Sequence, residues 1–372
     1  MKQSNAQPDA EATPHRVIGT LPLPPAGALE IVPEQSDTVF NWDYDMRREA
    51  LVNLYEKGKR MQWNASTDVD WSIDVDPEQF PEFFPPEMFN TMLNPPRQLT
   101  MKELKNMRVH QLGWMLSQFM HGEQGALLAT AQIVNTVPWT DAKFYAASQV
   151  ADEARHVEVY RRYLTEKLPY AYPVNPHLHT LLAQIIREPR WDMTYLGMQI
   201  MVEGLALAAF GMMHLMNPHE QLLHQITNYV IRDEARHVAF GVLALEEVYR
   251  DMTATELKER EELVIEAAHL MRDRLLMHEV WERIGFDVDA WVAWSLETPF
   301  MGGFRQMLFS KIVPNLKRLR LLTPRVRDAF EKIGVLQFEH LPDSTIDESV
   351  QLPPMMAEFF GGLMQQATPP TS

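Results

Sequence analysis

The pattern of apolar and polar positions is helical over most of the chain. Apolar residues recur at three- and four-residue spacings, and no stretch alternates with the period of two that a half-buried strand needs. Thr100-Met101-Lys102-Glu103 has the form of a capping box, and the helix it opens can run to just before Pro138. A second helix is expected from near Thr140 to before Pro169. A crossover over 169–190, broken by Pro169, Pro173, Pro176 and Pro189, has room for one short helix. A third helix runs from about Trp191 to Met216, where Asn217-Pro218 interrupts it, and a fourth from about Pro218 to Asp251. Further helices are expected over 253–284, 288–320 and 324–334, the last capped by Thr323 with Pro324 at its first position.

Upstream, residues 42–62 read as a first helix. Over 63–99, Trp63, Trp71, Phe80, Phe83, Phe84 and Phe89 mix with acids and paired prolines, which predicts an irregular aromatic segment packed on a helical body. Residues 1–38 read as a flexible Pro-rich arm and 341–372 as a Pro-rich tail. Between them, 39–340 is expected to form a single helical domain around a bundle at about 100–250. The fold class is all-α.

Composition narrows the chemistry. The 372 residues include no cysteine, so thiol-ligated zinc, iron–sulfur clusters and disulfides are excluded. A metal site would have to use His and carboxylates, which suit Fe, Mn or Zn. With 34 Lys and Arg against 50 Asp and Glu, the formal net charge is −16. That balance disfavours a nucleic-acid partner. Apolar stretches such as Gly204–Met213 fall short of the ~20 residues of a membrane span, and the polar start Met-Lys-Gln-Ser-Asn carries no signal core. A soluble cytoplasmic protein with no membrane partner is expected.

Asp-Glu-Ala-Arg-His-Val occurs twice, at 152–157 and 233–238. A lone Glu-x-x-His means little in a chain with 13 histidines; Glu266 and His269 form such a pair without the rest of the motif. Two identical hexapeptides, each deep in a long helix, are a different matter. At spacing i, i+3 the Glu and His lie one turn apart on one helical face and can reach the same ion. Two further glutamates stand in long apolar contexts, Glu123 and Glu203. Glu123 lies 15 residues before Pro138 and Glu153 15 after it; Glu203 lies 15 before Pro218 and Glu234 16 after it. In antiparallel hairpins each is then roughly 22 Å from its turn, so all four carboxylates share one level of one bundle. Singly, each of these residues could equally be a hydrogen-bonded core group.

The order helix carboxylate, Asp-Glu-Ala-Arg-His, helix carboxylate, Asp-Glu-Ala-Arg-His over about 100–250 resembles the ferritin-like di-iron carboxylate superfamily. The resemblance implies a ferritin-like four-helix bundle with a long crossover and extra terminal helices. It implies that Glu123, Glu153 and His156 hold one metal and Glu203, Glu234 and His237 the other, with Glu153 and Glu234 as bridges. Asp152 and Asp233 match positions that hydrogen-bond the ligand His of the opposite motif; ion pairs with Arg155 and Arg236 are the alternative. The cofactor implied is two Fe ions, or Mn/Fe. The activity implied is an O2-using oxygenase or oxidoreductase that hydroxylates, N-oxygenates or desaturates a small organic substrate, served by an external electron donor in a homodimer.

Chain length separates it from iron-storage ferritins and places it nearer ribonucleotide reductase small subunits, acyl-carrier-protein desaturases and oxygenase subunits. Ahead of a ferroxidase or a metal-free helical scaffold, the alternative activity is a reductase-like Mn/Fe or di-iron radical or ligand-binding oxidase. Tyr160, four residues after His156, would be its redox partner, or else an ordinary core tyrosine. Phe119, Leu127, Leu207 and Val230, one turn from the ligands, are the expected substrate pocket, with Gln149 as its polar member. His121 falls on the wrong helical face, and His110, His214, His219 and His224 read as packing or surface groups.

Overall fold

The structure is a computed structural model that describes residues 28–77, 85–217 and 220–345. The arm over 1–27, the tail over 346–372, Phe80, Phe83, Phe84, Pro218 and His219 lie outside these residues. Among the described residues the architecture is all-α, with no strand. The elements that place the site are α3 (Met101–Thr136) and α4 (Thr140–Glu166), α7 (Glu203–Met216) and α8 (Gln221–Arg250), preceded by α1 (Glu49–Arg60) and α2 (Pro86–Leu93). The crossover carries α5 (Pro176–Arg187), and α6 (Trp191–Tyr195) leads into α7. After the bundle come α9 (Ala254–Arg274), α10 (His278–Arg283), α11 (Val288–Glu297), α12 (Pro299–Leu308), α13 (Ile312–Arg318) and α14 (Pro324–Lys332).

The starts follow from the sequence. Thr100 accepts from the Glu103 backbone N–H while Glu103 reaches back to the Thr100 N–H, so the capping box is formed. Asn175 caps α5 ahead of Pro176, and Thr323 caps α14 ahead of Pro324. The short connection at Pro138 turns α3 back on α4, and the two pack along their length, as do α7 and α8. This is the ferritin-like arrangement of two helix pairs joined by a long crossover. α1 covers the outer side of α4 and α8.

Several boundaries differ from the sequence expectation. Residues 40–48 are not helical, and α1 starts at Glu49. The segment 63–99, expected to be irregular, contains α2. The helix expected over 253–284 breaks at Met277, whose φ of 53° lies in the left-handed region. The one expected over 288–320 is three helices, with Pro299 opening the second.

The apolar stretch on the third helix is also longer than Gly204–Met213. Residues Trp191–His214 form one helical run whose most apolar 18-residue window has a mean hydropathy of 1.5, long and apolar enough to cross a membrane. That window is 94% buried inside the protein, so here it serves as the core of the bundle. Within the run, Leu196–Val202 is a π-helical turn, and the Glu203 N–H bonds to the Met198 carbonyl, five residues back. Gly197 allows close approach there: a Cβ would lie 2.7 Å from Ile185 Cγ1 of α5.

Candidate metal centre

Four helices each bring one carboxylate to the bundle interior: Glu123 from α3, Glu153 from α4, Glu203 at the start of α7 and Glu234 from α8. All four, with His156 and His237, are buried, none more than 5% exposed. The matched distances from the turns therefore do place them at one height. Their ligating atoms fall into two overlapping groups, Glu123–Glu153–His156–Glu234 and Glu153–Glu203–His237, in each of which the atoms lie within 4.8 Å of one another.

Both imidazoles point Nδ1 at the carboxylates. His156 Nδ1 lies 3.2 Å from Glu123 Oε2, 3.3 Å from Glu153 Oε2 and 3.2 Å from Glu234 Oε1. His237 Nδ1 lies 3.1 Å from Glu153 Oε1 and 3.5 Å from Glu234 Oε1. Glu153 and Glu234 are thus the two carboxylates that face both histidines, the position a bridging ligand requires. Glu203 is farther round, next to Glu153 and His237.

The opposite ring nitrogens are held by the aspartates. His156 Nε2 is 3.2 Å from Asp233 Oδ2, and His237 Nε2 is 3.3 Å from Asp152 Oδ2. Each motif's aspartate therefore serves the other motif's histidine, which fixes the tautomer and leaves Nδ1 free to act as a ligand. The two readings of these aspartates hold together, because Asp152 also pairs with Arg155 and Asp233 with Arg236. Two residues just past α1 complete the arrangement. Trp63 Nε1 donates to Asp233 at 2.7 Å, and Gln62 Nε2 donates to Asp152 at 3.1 Å.

The electrostatics show what this set lacks. Burial, then repulsion from Glu234, pushes the Glu123 carboxyl well above its usual range; burial, then Glu153, does the same to Glu203. Glu153 goes well down, because His237 and His156 outweigh its burial. The two imidazoles are pushed well up against their burial, His156 chiefly by Glu123 and His237 by Glu153. Glu153 Oε2, Glu203 Oε2, both oxygens of Glu234 and His237 Nδ1 have no hydrogen-bond partner among the described residues. Unpartnered buried acceptors facing one another are costly unless cations lie between them. Arg155 and Arg236 balance the two aspartates, so the four glutamates, once deprotonated, would match the charge of two divalent cations. The donor set, the orphaned atoms and the charge all fit a dinuclear site.

The other sequence candidates divide. Gln149 is buried and donates from Nε2 to Glu153 Oε1 and Glu203 Oε1, both at 2.9 Å, so it ties two carboxylates together. Tyr160 is fully buried against Phe119 and Phe210, and its hydroxyl has no partner among the described residues. Burial, then the Glu123 charge, raises its pKa well above the usual value. Of the four expected pocket residues only Phe119 lines the cavity beside the bundle. Leu207 packs with Ala235 and Val238, Val230 is core, and Leu127 is half-buried; none of the three lines that cavity. His121 meets the Tyr172 carbonyl, His110 the Tyr172 hydroxyl, and His214 stacks on His224, as packing groups do. Glu266 bonds Gln184 and His269 bonds the Ile265 carbonyl, so that pair gathers no further ligands.

Three features escape the sequence. Trp63 has no signal beyond its place in an aromatic segment. The π-turn before Glu203 packs chiefly on α8 and α9, which follow it in the chain. The cavity is formed by α2, α3, α7 and the helices after α8, far apart in the chain.

No protein-family model matches this chain, and no curated protein matches it. Solved structures of variants of an R2-like ligand-binding oxidase with Mn/Fe cofactor are similar to it. One, reconstituted anaerobically, aligns at 18% identity and a TM-score of 0.43 over 72% of this chain and 92% of its own. A second anaerobic variant gives 18%, 0.42, 76% and 92%. An aerobically reconstituted one gives 17%, 0.40, 80% and 94%.

Proposed function

We propose that the protein is a dinuclear-metal oxidase that uses O2 to oxidise a small, largely apolar organic substrate. Glu123, Glu153, His156, Glu203, Glu234 and His237 would hold two Fe ions or a Mn/Fe pair, both of which accept this N/O donor set. The observation that carries the reading is the group of four buried carboxylates and two imidazoles that face one another with acceptor atoms unpartnered. When bound, the ions supply the redox chemistry with O2 that no side chain here provides.

The chain's own residues do the rest. Asp233 and Asp152 keep the proton on Nε2 of His156 and His237. Gln149 holds Glu153 and Glu203 in register, and its unpartnered Oε1 is left facing the same buried region. Phe119, Ile200 and Val230 keep water out. An external electron donor, a homodimeric assembly and a cytoplasmic setting belong to the same reading.

Metal analysis after loading with Fe(II), or with Mn(II) and Fe(II), tests it. Wild type should hold two ions per chain, and Glu123→Ala and His237→Ala should each fall short of two. Two tightly held ions in both variants would end the proposal.

A second activity is favoured by one observation, the buried, unpartnered hydroxyl of Tyr160 in the field of Glu123. Such a tyrosine could give up an electron and a proton to the centre. Electron paramagnetic resonance after O2 is admitted to the reduced, metal-loaded protein should then show a tyrosyl signal that Tyr160→Phe removes. An identical signal in the variant, or none in wild type, sinks this second reading alone.

A further inference from the structure

Beside the bundle lies a cavity of about 250 Å³. Along α3 its wall runs through Met107, Leu112, Met115 and Phe119, twelve residues or about 18 Å of helix. Leu205, Ala209 and Met212 of α7 form part of another wall. Phe119 stands one turn before Glu123, so the cavity reaches the layer that covers the metal centre.

The cavity's polar lining is one-sided in charge. It consists of Arg108, Gln111, Asn217, Arg274 and Ser295, with no aspartate or glutamate among its described residues. Asn217 donates to the Met213 carbonyl and Ser295 to the Trp291 carbonyl, so both are occupied. Arg274 is not. The last residue of α9 is only 6% exposed, its Nε has no hydrogen-bond partner, and it forms no ion pair among the described residues.

A neighbour shows how this protein satisfies a buried guanidinium when the role is structural. Arg305, 9% exposed, donates to the Ser295 and Leu296 carbonyls. Among the described residues Arg274 has no such carbonyls. Burial alone pulls its pKa down to about 10, still charged at neutral pH. A buried, unpaired cation is costly and is retained where something completes it. The turn that follows it is also strained, with Met277 at φ 53° and itself lining the cavity.

We propose that this cavity binds an organic monoanion, a carboxylate on an apolar body, with the carboxylate on Arg274 and the body along the α3 wall toward Phe119. The guanidinium offers a carboxylate two parallel donors, and the remaining lining offers it mostly apolar contact. That this ligand is the compound oxidised rests on the oxidase reading above; the binding itself does not.

Calorimetric titration of the full chain, metal-free and metal-loaded, with octanoate and with octan-1-ol tests the proposal. Octanoate should bind at least about ten-fold more tightly than the alcohol, the size expected of one charge-assisted pair. Arg274→Leu should erase that difference, and Arg274→Lys should keep part of it. Because an unpaired charge is removed, the melting temperature of unliganded Arg274→Leu should stay level or rise.

Equal affinity for the two probes in wild type overturns the proposal without any variant. So does octanoate binding undiminished in Arg274→Leu, or a lowered melting temperature that marks Arg274 as part of a structural pair. Octanoate bound by a chain that takes up no metal would end the oxidase reading and keep this one. Two ions held by a chain that ignores octanoate would do the reverse.

Discussion

The two Asp-Glu-Ala-Arg-His-Val segments are identical in sequence and differ in what holds them. On α4, Arg155 keeps 15% of its side chain exposed and leans on Gln62, which donates to Asp152 and accepts from Arg155. On α8, Arg236 is 2% exposed, and Asp233 takes the Trp63 indole N–H as well as His156. The glutamate, histidine and aspartate of each copy reach the centre in the same way. The firmness of the support is decided outside the motif, by two adjacent residues after α1 that serve one copy each. A repeated sequence therefore builds a chemically paired but mechanically unequal site.

The largest consequence concerns the aspartates. Asp233→Ala leaves a buried indole N–H and His156 Nε2 without their acceptor and takes from Arg236 its nearer carboxylate, leaving it the Arg232 carbonyl and Asp152 at 3.6 Å. A loss of about 3–5 kcal/mol of stability is expected, the range for breaking a buried ion pair. Asp152→Ala leaves Arg155 with Gln62 and access to water, so about 1–3 kcal/mol is expected. Urea unfolding of the two metal-free variants measures both. Equal losses would remove the asymmetry argued from burial, and a larger loss for Asp152 would invert it.

Metal affinity sharpens the same comparison by sides. Asp152 orients His237, which lies with Glu203, whereas Asp233 orients His156, which lies with Glu123. Asp152→Asn should weaken one ion of the pair by roughly 10–100-fold and leave the other near its wild-type affinity. A stepwise titration monitored by calorimetry resolves the two. Equal weakening of both ions would mean that the bridging carboxylates couple the sites too tightly for the aspartates to act separately.

The legible part of this molecule is the part written locally. The Thr100 capping box, the turn signals Pro138 and Pro218, and the nearly equal offsets of Glu123, Glu153, Glu203 and Glu234 from those prolines are enough to bring six side chains to one level. The reason is that an α-helix converts sequence separation into height at a fixed rise. The features that the sequence hides depend on packing between distant segments. The π-turn before Glu203 packs chiefly on α8 and α9, and the cavity needs helices from both ends of the chain. The break at Met277 carries no Gly or Pro to mark it. Pro299, by contrast, is a usable break signal inside the single helix expected over 288–320. Leu207 and Val230 have the right spacing for a pocket, but both are buried in the hydrophobic clusters of the bundle.

The position four residues after each histidine gives the smallest and most local test. It is Tyr160 after the first motif and Gly241 after the second. Tyr160 fills its side of the bundle against Phe119 and Phe210. At Gly241 a Cβ would fall 2.6 Å from Gln199 Cβ and 3.2 Å from Ile200 Cδ1, both on the π-turn that delivers Glu203. Gly241→Ala should therefore cost about 1–3 kcal/mol by overpacking, against the gain of about 0.5–1 kcal/mol that alanine brings to a helix interior. Gly122, one residue before Glu123, meets nothing within 4 Å, so Gly122→Ala should show the gain alone. Thermal melts of the two metal-free variants should move in opposite directions. If Gly241→Ala is neutral, the π-turn yields easily, and the unequal support of the two motifs ends at Asp233 and Trp63 without extending to the backbone that carries Glu203.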